Sequence, residues 1–260
     1  MSQPPSDIPR RRLPLVIGST AVLVAAVVAI AVGVNQANNA GVVPSPTPTA
    51  AATASATPSP SANVALPATP CNGVSFGAAL PPLNPPANVH VYKNPPALSI
   101  DITKLYQATI HTARGDIVLC LEPSLARNTV NNFVVLARNH FYDGIPFHRV
   151  VSGFVIQGGD PNCIGNVPSP PASPSGSCGQ GGPGYRFNDE PVKGSYMRGC
   201  LAMANSGANT NGSQFFICTA DDTTLPKSYN LFGAAENTLQ VALQIRQGDV
   251  MQSVTVQQQA

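Results

Sequence analysis

Tryptophan is absent from this chain of 260 residues, and charge is scarce: 10% of the residues are Asp, Glu, Lys or Arg, with a formal net charge of +2. So little charge provides no basic stripe for a nucleic acid and no field for an acidic polymer. The histidines, His90, His111, His140 and His148, include no His-x-x-x-His pair, and no Cys-x-x-Cys occurs, so no metal and no cofactor is expected. No Gly-x-Ser-x-Gly elbow is present either, since the Ser-Gly-Ser-Cys-Gly at 175–179 lies in a Pro-rich loop. The glycines of 179–184, Gly-Gln-Gly-Gly-Pro-Gly, lack the following Lys and helix of a phosphate cradle and read as a surface turn.

Charge is also missing from one long stretch. Between Arg12 and Lys93 no Asp, Glu, Lys or Arg occurs. Residues 1–12 end in three arginines and read as a cytoplasmic basic tail. The uncharged run 13–34, LPLVIGSTAVLVAAVVAIAVGV, would span about 33 Å as a helix, enough for a bilayer core of roughly 30 Å. With the basic flank before it, the run reads as a single-pass signal-anchor with its N-terminus in the cytoplasm and the rest translocated. A cleaved secretory signal is the other reading, and it also places the remainder outside the cytoplasm. Residues 35–100 read as a linker and extended arm; 44–70 carry seven prolines among Ala, Ser and Thr, a composition that favours extended polyproline II over a packed core.

From about residue 101 to 257 the pattern becomes that of a folded domain. YQATIHTARGDIVLCLEP alternates around Arg114-Gly115-Asp116 as a hairpin with its turn on Gly115 and Asp116. Residues 128–139 read as a helix capped by Asn128, and 238–247 as a second amphipathic helix. Strands are expected in 147–160 on either side of a Ser-Gly turn, at 200–204, at 214–219 and at 248–256. Many short strands, Gly-rich turns and two helices predict a mainly β fold, a closed antiparallel barrel capped by helices. Cys163 and Cys178 flank a Pro/Ser-rich loop and are expected to be bridged, worth roughly 3 kcal/mol in the chain-entropy model. Cys71, Cys120, Cys200 and Cys218 supply one more bridge or none, with Cys120, Cys200 and Cys218 expected as buried free thiols.

One charge stands out. Arg149 lies in a strand among hydrophobic residues, and strand parity turns it the same way as Phe147 and Val151. Val155 and Gln157 share a face of the next strand.

Three long motifs, FHRVVSGFVIQGGD (147–160), GPGYRFNDE (182–190) and MANSGANTNGSQFFICTA (203–220), with YNLFG (229–233) downstream, resemble the cyclophilins, the peptidyl-prolyl cis-trans isomerases. The resemblance implies an eight-stranded antiparallel β-barrel closed by two helices, with a groove on its outer surface. It implies Arg149 as the catalytic arginine. Phe154, Val155, Gln157, Phe216 and Leu225 would line a proline pocket. Ala204 and Asn205 would hold the substrate backbone, Gln214 would support the arginine, and Tyr229 would stand where the family often has His. Thr224 occupies a position that is often Trp. The implied partners are proline-containing polypeptides, met by a monomer that assists folding of translocated proteins. The runner-up is a non-catalytic module of the cell envelope that binds Pro-containing peptides.

Overall fold

The computed structural model describes residues 69–167 and 177–260. The tail 1–12, the apolar run 13–34 and the linker up to residue 68 lie outside the described residues, as does 168–176. Among the described residues no helix is long and apolar enough to cross a membrane.

The elements run β1 (Phe76–Ala79), β2 (Tyr106–Thr112), β3 (Gly115–Leu121), α1 (Pro123–Arg138), β4 (Arg149–Val151) and β5 (Val155–Gly158). They continue with β6 (Cys200–Met203), β7 (Phe215–Cys218), β8 (Leu231–Ala235), α2 (Leu239–Ala242) and β9 (Ser253–Gln259). All strands join one sheet in the order β1-β9-β2-β3-β8-β6-β7-β5-β4, every pair antiparallel. The mainly β architecture with two helices agrees with the sequence, but the expected closed eight-stranded barrel does not. Among the described residues the sheet has nine strands, and its outer strands β1 and β4 are not paired with each other. The extra strand comes from the arm: Phe76-Gly77-Ala78-Ala79 pairs with β9, and Leu80 N–H continues onto Val256 O at 2.7 Å. At the other end, the chain just before β4 bonds the chain just before β9, through Phe147 N–H to Asp249 O at 2.8 Å and Met251 N–H to Ile145 O at 3.0 Å.

Local differences have local causes. β2 and β3 pair Thr112 with Gly115, so Ala113 and Arg114 form the turn, two residues earlier than expected, and Gly115 leaves it at φ +118°. The first helix starts at Pro123 and is broken at Ala126, whose φ of −155° is extended. Asn128 is not its cap. The Glu190 carboxylate instead accepts the N–H groups of Asn128 (3.1 Å) and Thr129 (2.8 Å), placing an anion at the start of the regular helix. The second helix is one turn rather than ten residues. Beyond Ala242 the bonds tighten to i→i−3, as in Ile245 N–H to Ala242 O; Leu239, Ala242 and Ile245 are buried in the core and Val241 packs against it.

The main core is built on Phe133, which stacks on Tyr142 at 4.9 Å and meets Phe215 edge-on at 5.5 Å. Around it lie Ile110, Leu119, Ile156, Leu201, Met203, Ile217 and Phe232, all essentially without exposure. Strands β5, β6 and β7 are buried on both faces: Val155, Cys200, Ala202, Phe216 and Cys218 point away from this core into a second apolar cluster.

The cysteines are paired: Cys71–Cys120, Cys163–Cys178 and Cys200–Cys218, leaving none free among the described residues. The 163–178 bridge is the expected one. The free thiols expected at 120, 200 and 218 are corrected by register. Leu201 faces Ile217, so Cys200 and Cys218 lie opposite each other with Cα atoms 5.1 Å apart. Cys120 meets Cys71 because the arm runs over β3, Cα to Cα 5.7 Å.

The Cys71–Cys120 bridge closes 49 residues, and chain entropy then predicts a contribution of about 4 kcal/mol. Replacing both cysteines by Ala in the full chain is expected to lower unfolding stability by about 2–4 kcal/mol. Chemical denaturation of the two proteins checks this, and an unchanged midpoint would refute it.

Candidate active site

The register of four strand pairs sets one row of side chains across the sheet. Arg149 faces Gln157, Gln157 faces Phe216, Phe216 faces Ala202, and Ala202 faces Leu231. Partners directly opposite share a face, and this is the face turned away from the main core. Phe216, 5% exposed, forms its apolar floor with Val155 and Ala202. Phe154, Ala204, Leu225 and Tyr229, each half-buried, pack against that cluster. Tyr229 meets the Phe216 ring edge-on at 5.6 Å. The guanidinium carbon of Arg149 lies 5.7 Å from the centre of the Phe154 ring, a cation over an aromatic face. Parity misplaced one residue. Phe147 is fully buried in the main core and does not share the face of Arg149, because Phe147 and His148 precede the ladder and interrupt the alternation.

The polar edge of this face is a chain of amides. Arg149 Nη1 donates to Gln157 Oε1 at 3.4 Å, and Gln157 Nε2 donates to Gln214 Oε1 at 3.0 Å. Burial lowers the pKa of Arg149 from its ordinary value, and Tyr229 opposes that shift. Guanidinium starts so high that the group remains a cation at any physiological pH.

Opposite the arginine, the loop after β6 is pinned at several points. Ala204 N–H bonds Gln214 O at 2.9 Å, and Asn205 Nδ2 bonds Ser228 O at 2.8 Å. Asn209, at φ +59°, exchanges two bonds with Asp189, which also accepts from Asn211 Nδ2 at 2.7 Å. The Asn-rich loop and the Phe-Asn-Asp-Glu segment at 187–190 are thus two halves of one latch. The ten residues singled out from sequence, Arg149, Phe154, Val155, Gln157, Ala204, Asn205, Gln214, Phe216, Leu225 and Tyr229, all border this face or the loop beside it.

Two contributors escaped the sequence reading. Tyr196 is buried in the second cluster, donates to Tyr229 O at 2.8 Å and accepts from Tyr229 N–H at 3.0 Å. Asp222 accepts from Thr224 N–H, Thr224 Oγ1 and Leu225 N–H at 2.7–3.0 Å, turning the chain so that Leu225 points inward. The Asp-Asp-Thr-Thr string is a legible turn signal; Tyr196 carries none. Thr224 itself is exposed.

Chemically, the arrangement offers an aromatic-floored apolar hole, a buried-edge cation on one side and a polar loop able to bond a peptide main chain on the other. Among the described residues one group of cysteines and carboxylates comes within common ligand distance, Cys71, Cys120 and Glu236, and its two sulfurs are joined to each other.

Comparison with known proteins agrees with this geometry. Residues 107–260 match the family model for cyclophilin type peptidyl-prolyl cis-trans isomerase. A peptidyl-prolyl cis-trans isomerase of Synechococcus elongatus is 40% identical over 152 residues, covering 58% of this chain and 95% of that protein. One from Helicobacter pylori is 39% identical over 160 residues, covering 59% and 88%. Among solved structures, a cyclophilin type peptidyl-prolyl cis-trans isomerase of Cryptosporidium parvum superposes with a TM-score of 0.50 at 29% identity, covering 58% of this chain and 97% of that one.

Next to Arg149, His148 is fully buried, and among the described residues neither ring nitrogen makes a hydrogen bond of normal geometry. Burial lowers its pKa below 6.5, with Arg149 adding to the shift and Asp160 and Gln214 only partly opposing it. The folded state therefore keeps this ring neutral while the unfolded chain takes up a proton below about pH 6.5, so stability falls as pH drops through that range. The expected result is a denaturation midpoint that declines from pH 7 to pH 5 in the wild type and less steeply in His148→Gln. Equal slopes in the two proteins would refute it.

Proposed function

We propose, from the premise that this chain belongs to the cyclophilin-type peptidyl-prolyl cis-trans isomerase family, that the outer row from Arg149 to Phe216 is where an X–Pro bond is turned. The chain is a peptidyl-prolyl cis-trans isomerase. The observation that carries the site assignment is a cation on β4 and an aromatic floor on β7, on one face with β5 between them, Arg149 opposite Gln157 and Gln157 opposite Phe216.

The uncatalysed bond resists rotation because amide resonance gives it double-bond character, with a barrier of roughly 18–20 kcal/mol. In the twisted state the nitrogen lone pair is uncoupled from the carbonyl and becomes a hydrogen-bond acceptor. The proline ring seats against Phe216, Val155 and Leu225, and Arg149 donates to that nitrogen. Such a bond is stronger in the twisted state than in either planar one, which is the condition for acceleration. The loop at Ala204 and Asn205 holds the substrate main chain so that rotation occurs about one bond. The apolar surroundings disfavour the charge-separated planar amide. Every step is conformational, so the residues needed are those that grip, orient and donate.

We further propose that the domain works outside the cytoplasm, tethered by residues 13–34, on proline-containing segments of translocated proteins, as a monomer. The apolar run after three arginines supports the tether. Three disulfides support an oxidising compartment.

Two measurements test these readings. Arg149→Ala in the full chain is expected to fold with wild-type stability and to lose about a hundredfold in kcat/KM on an X–Pro peptide. Near wild-type turnover would remove Arg149 from its assigned role. Protease added to intact host cells is expected to degrade the folded domain while leaving a membrane-bound N-terminal remnant; full protection until lysis would refute the topology.

A further inference from the structure

The amide chain that begins at Arg149 does not end at Gln214. Gln214 Nε2 donates onward to Gly181 O at 2.9 Å, to Gly179 O at 3.1 Å and to Asp160 Oδ2 at 3.4 Å. Asp160 lies two residues beyond the end of β5 and has no exposed surface. Its carboxylate is held by peptide N–H groups: Asn162 at 2.8 Å on Oδ1, and Gly179 at 2.6 Å and Gly181 at 2.9 Å on Oδ2. The fit is close, since a Cβ added at Gly181 would collide with Asp160 Oδ1. The Cys163–Cys178 bridge fixes the start of the same turn.

These bonds have a direction. Each link donates toward Asp160 and accepts from the side of Arg149: Arg149 to Gln157, Gln157 to Gln214, Gln214 to the turn and the carboxylate. A primary amide has an accepting end and a donating end, so the orientation of both glutamines follows from an anion at one end and a cation at the other. Reversing Gln157 would present an NH2 group to the guanidinium, and reversing Gln214 would set its NH2 against that of Gln157 and its oxygen against the carboxylate. Asp160 also gathers the N–H groups of Gly179 and Gly181, which leaves the carbonyls of those two residues facing Gln214.

We propose that Asp160 is a positioning residue for Arg149, acting through Gln214 and Gln157 to set where the guanidinium points. This rests on the isomerase reading of the groove. It gives a role to a buried charge that otherwise only ties a surface loop.

The test compares wild type, Asp160→Asn, Gln214→Leu, Arg149→Ala and the Asp160→Asn/Arg149→Ala double variant, all as full chains. In Asp160→Asn, kcat is expected to fall by on the order of tenfold to a hundredfold with KM within about twofold, because orientation rather than binding is lost. The Arg149 Nε–Hε resonance should shift or broaden in the same variant. In the Arg149→Ala background the Asp160 change should have no further effect on kcat, a non-additivity that a merely structural role would not produce. Should Asp160→Asn fail to fold, Gln214→Leu leaves the three peptide bonds to the carboxylate in place and should reproduce the resonance shift and the kcat loss. Unchanged kcat with an unmoved Arg149 resonance would overturn the proposal, as would an equal loss in the Arg149→Ala background. If the wild type itself shows no turnover, the isomerase reading fails, and the Arg149 resonance still decides what Asp160 positions.

Discussion

Because side chains alternate across a strand, pairing β5, β7 and β6 one residue out of step would exchange the two surfaces of the sheet. Phe216, Val155 and Ala202 would enter the main core, and Phe215, Ile156 and Leu201 would face outward. The register is held from both sides. The inward set packs on Phe133 and Tyr142, and the outward set closes over Phe216 with Tyr196, Leu225 and Tyr229. Burial on both faces is unusual for an antiparallel sheet, and here it has a purpose. The outer cluster and the core together fix the register of the strands between them, and the arginine lies at the end of the same row.

The electrostatics follow the same plan. Few ion pairs occur among the described residues; one joins Arg114 at the β2–β3 turn to Asp249 ahead of β9. Two acids near the groove, buried Asp160 and half-buried Glu190, are handled differently. Asp160 is surrounded by peptide N–H groups, and Glu190 takes the first amides of the regular part of α1. Each acid connects a surface loop to an element of the core. Among the described residues Arg149 has no carboxylate partner; an amide oxygen and an aromatic face stabilise it, so no anion offsets its charge.

Much of the groove was legible in the sequence because its parts are contiguous. Phe-Phe-Ile at 215–217 announces a strand, the Asn/Ser/Gly run before it announces a loop, and an arginine among hydrophobic residues asks for a partner. What could not be read was long-range or aperiodic. Phe76-Gly77-Ala78-Ala79 has no alternation and joins the sheet only because β9 offers an edge, so the strand number came out one short. Cys200 and Cys218 are ordinary strand residues until register sets them opposite each other. Phe147 shows the limit of parity: two residues outside the ladder were enough to turn the neighbouring arginine to the other face. The early start of α1 was hidden by the break at Ala126, where local spacing restarts.

The bond between Cys71 and Cys120 also has a mechanical meaning. A pull on the chain ahead of Cys71 does not reach β1 first, although β1 follows within a few residues. It enters β3 through the sulfur bridge, and β3 lies between β2 and β8 within the sheet rather than at its rim. Residues 72 to 119, edge strand and arm included, sit inside the covalent loop that the bridge closes. Tension applied ahead of Cys71 would therefore reach a strand with neighbours on both sides, while the groove-bearing strands β4 and β5 lie at the far end of the order.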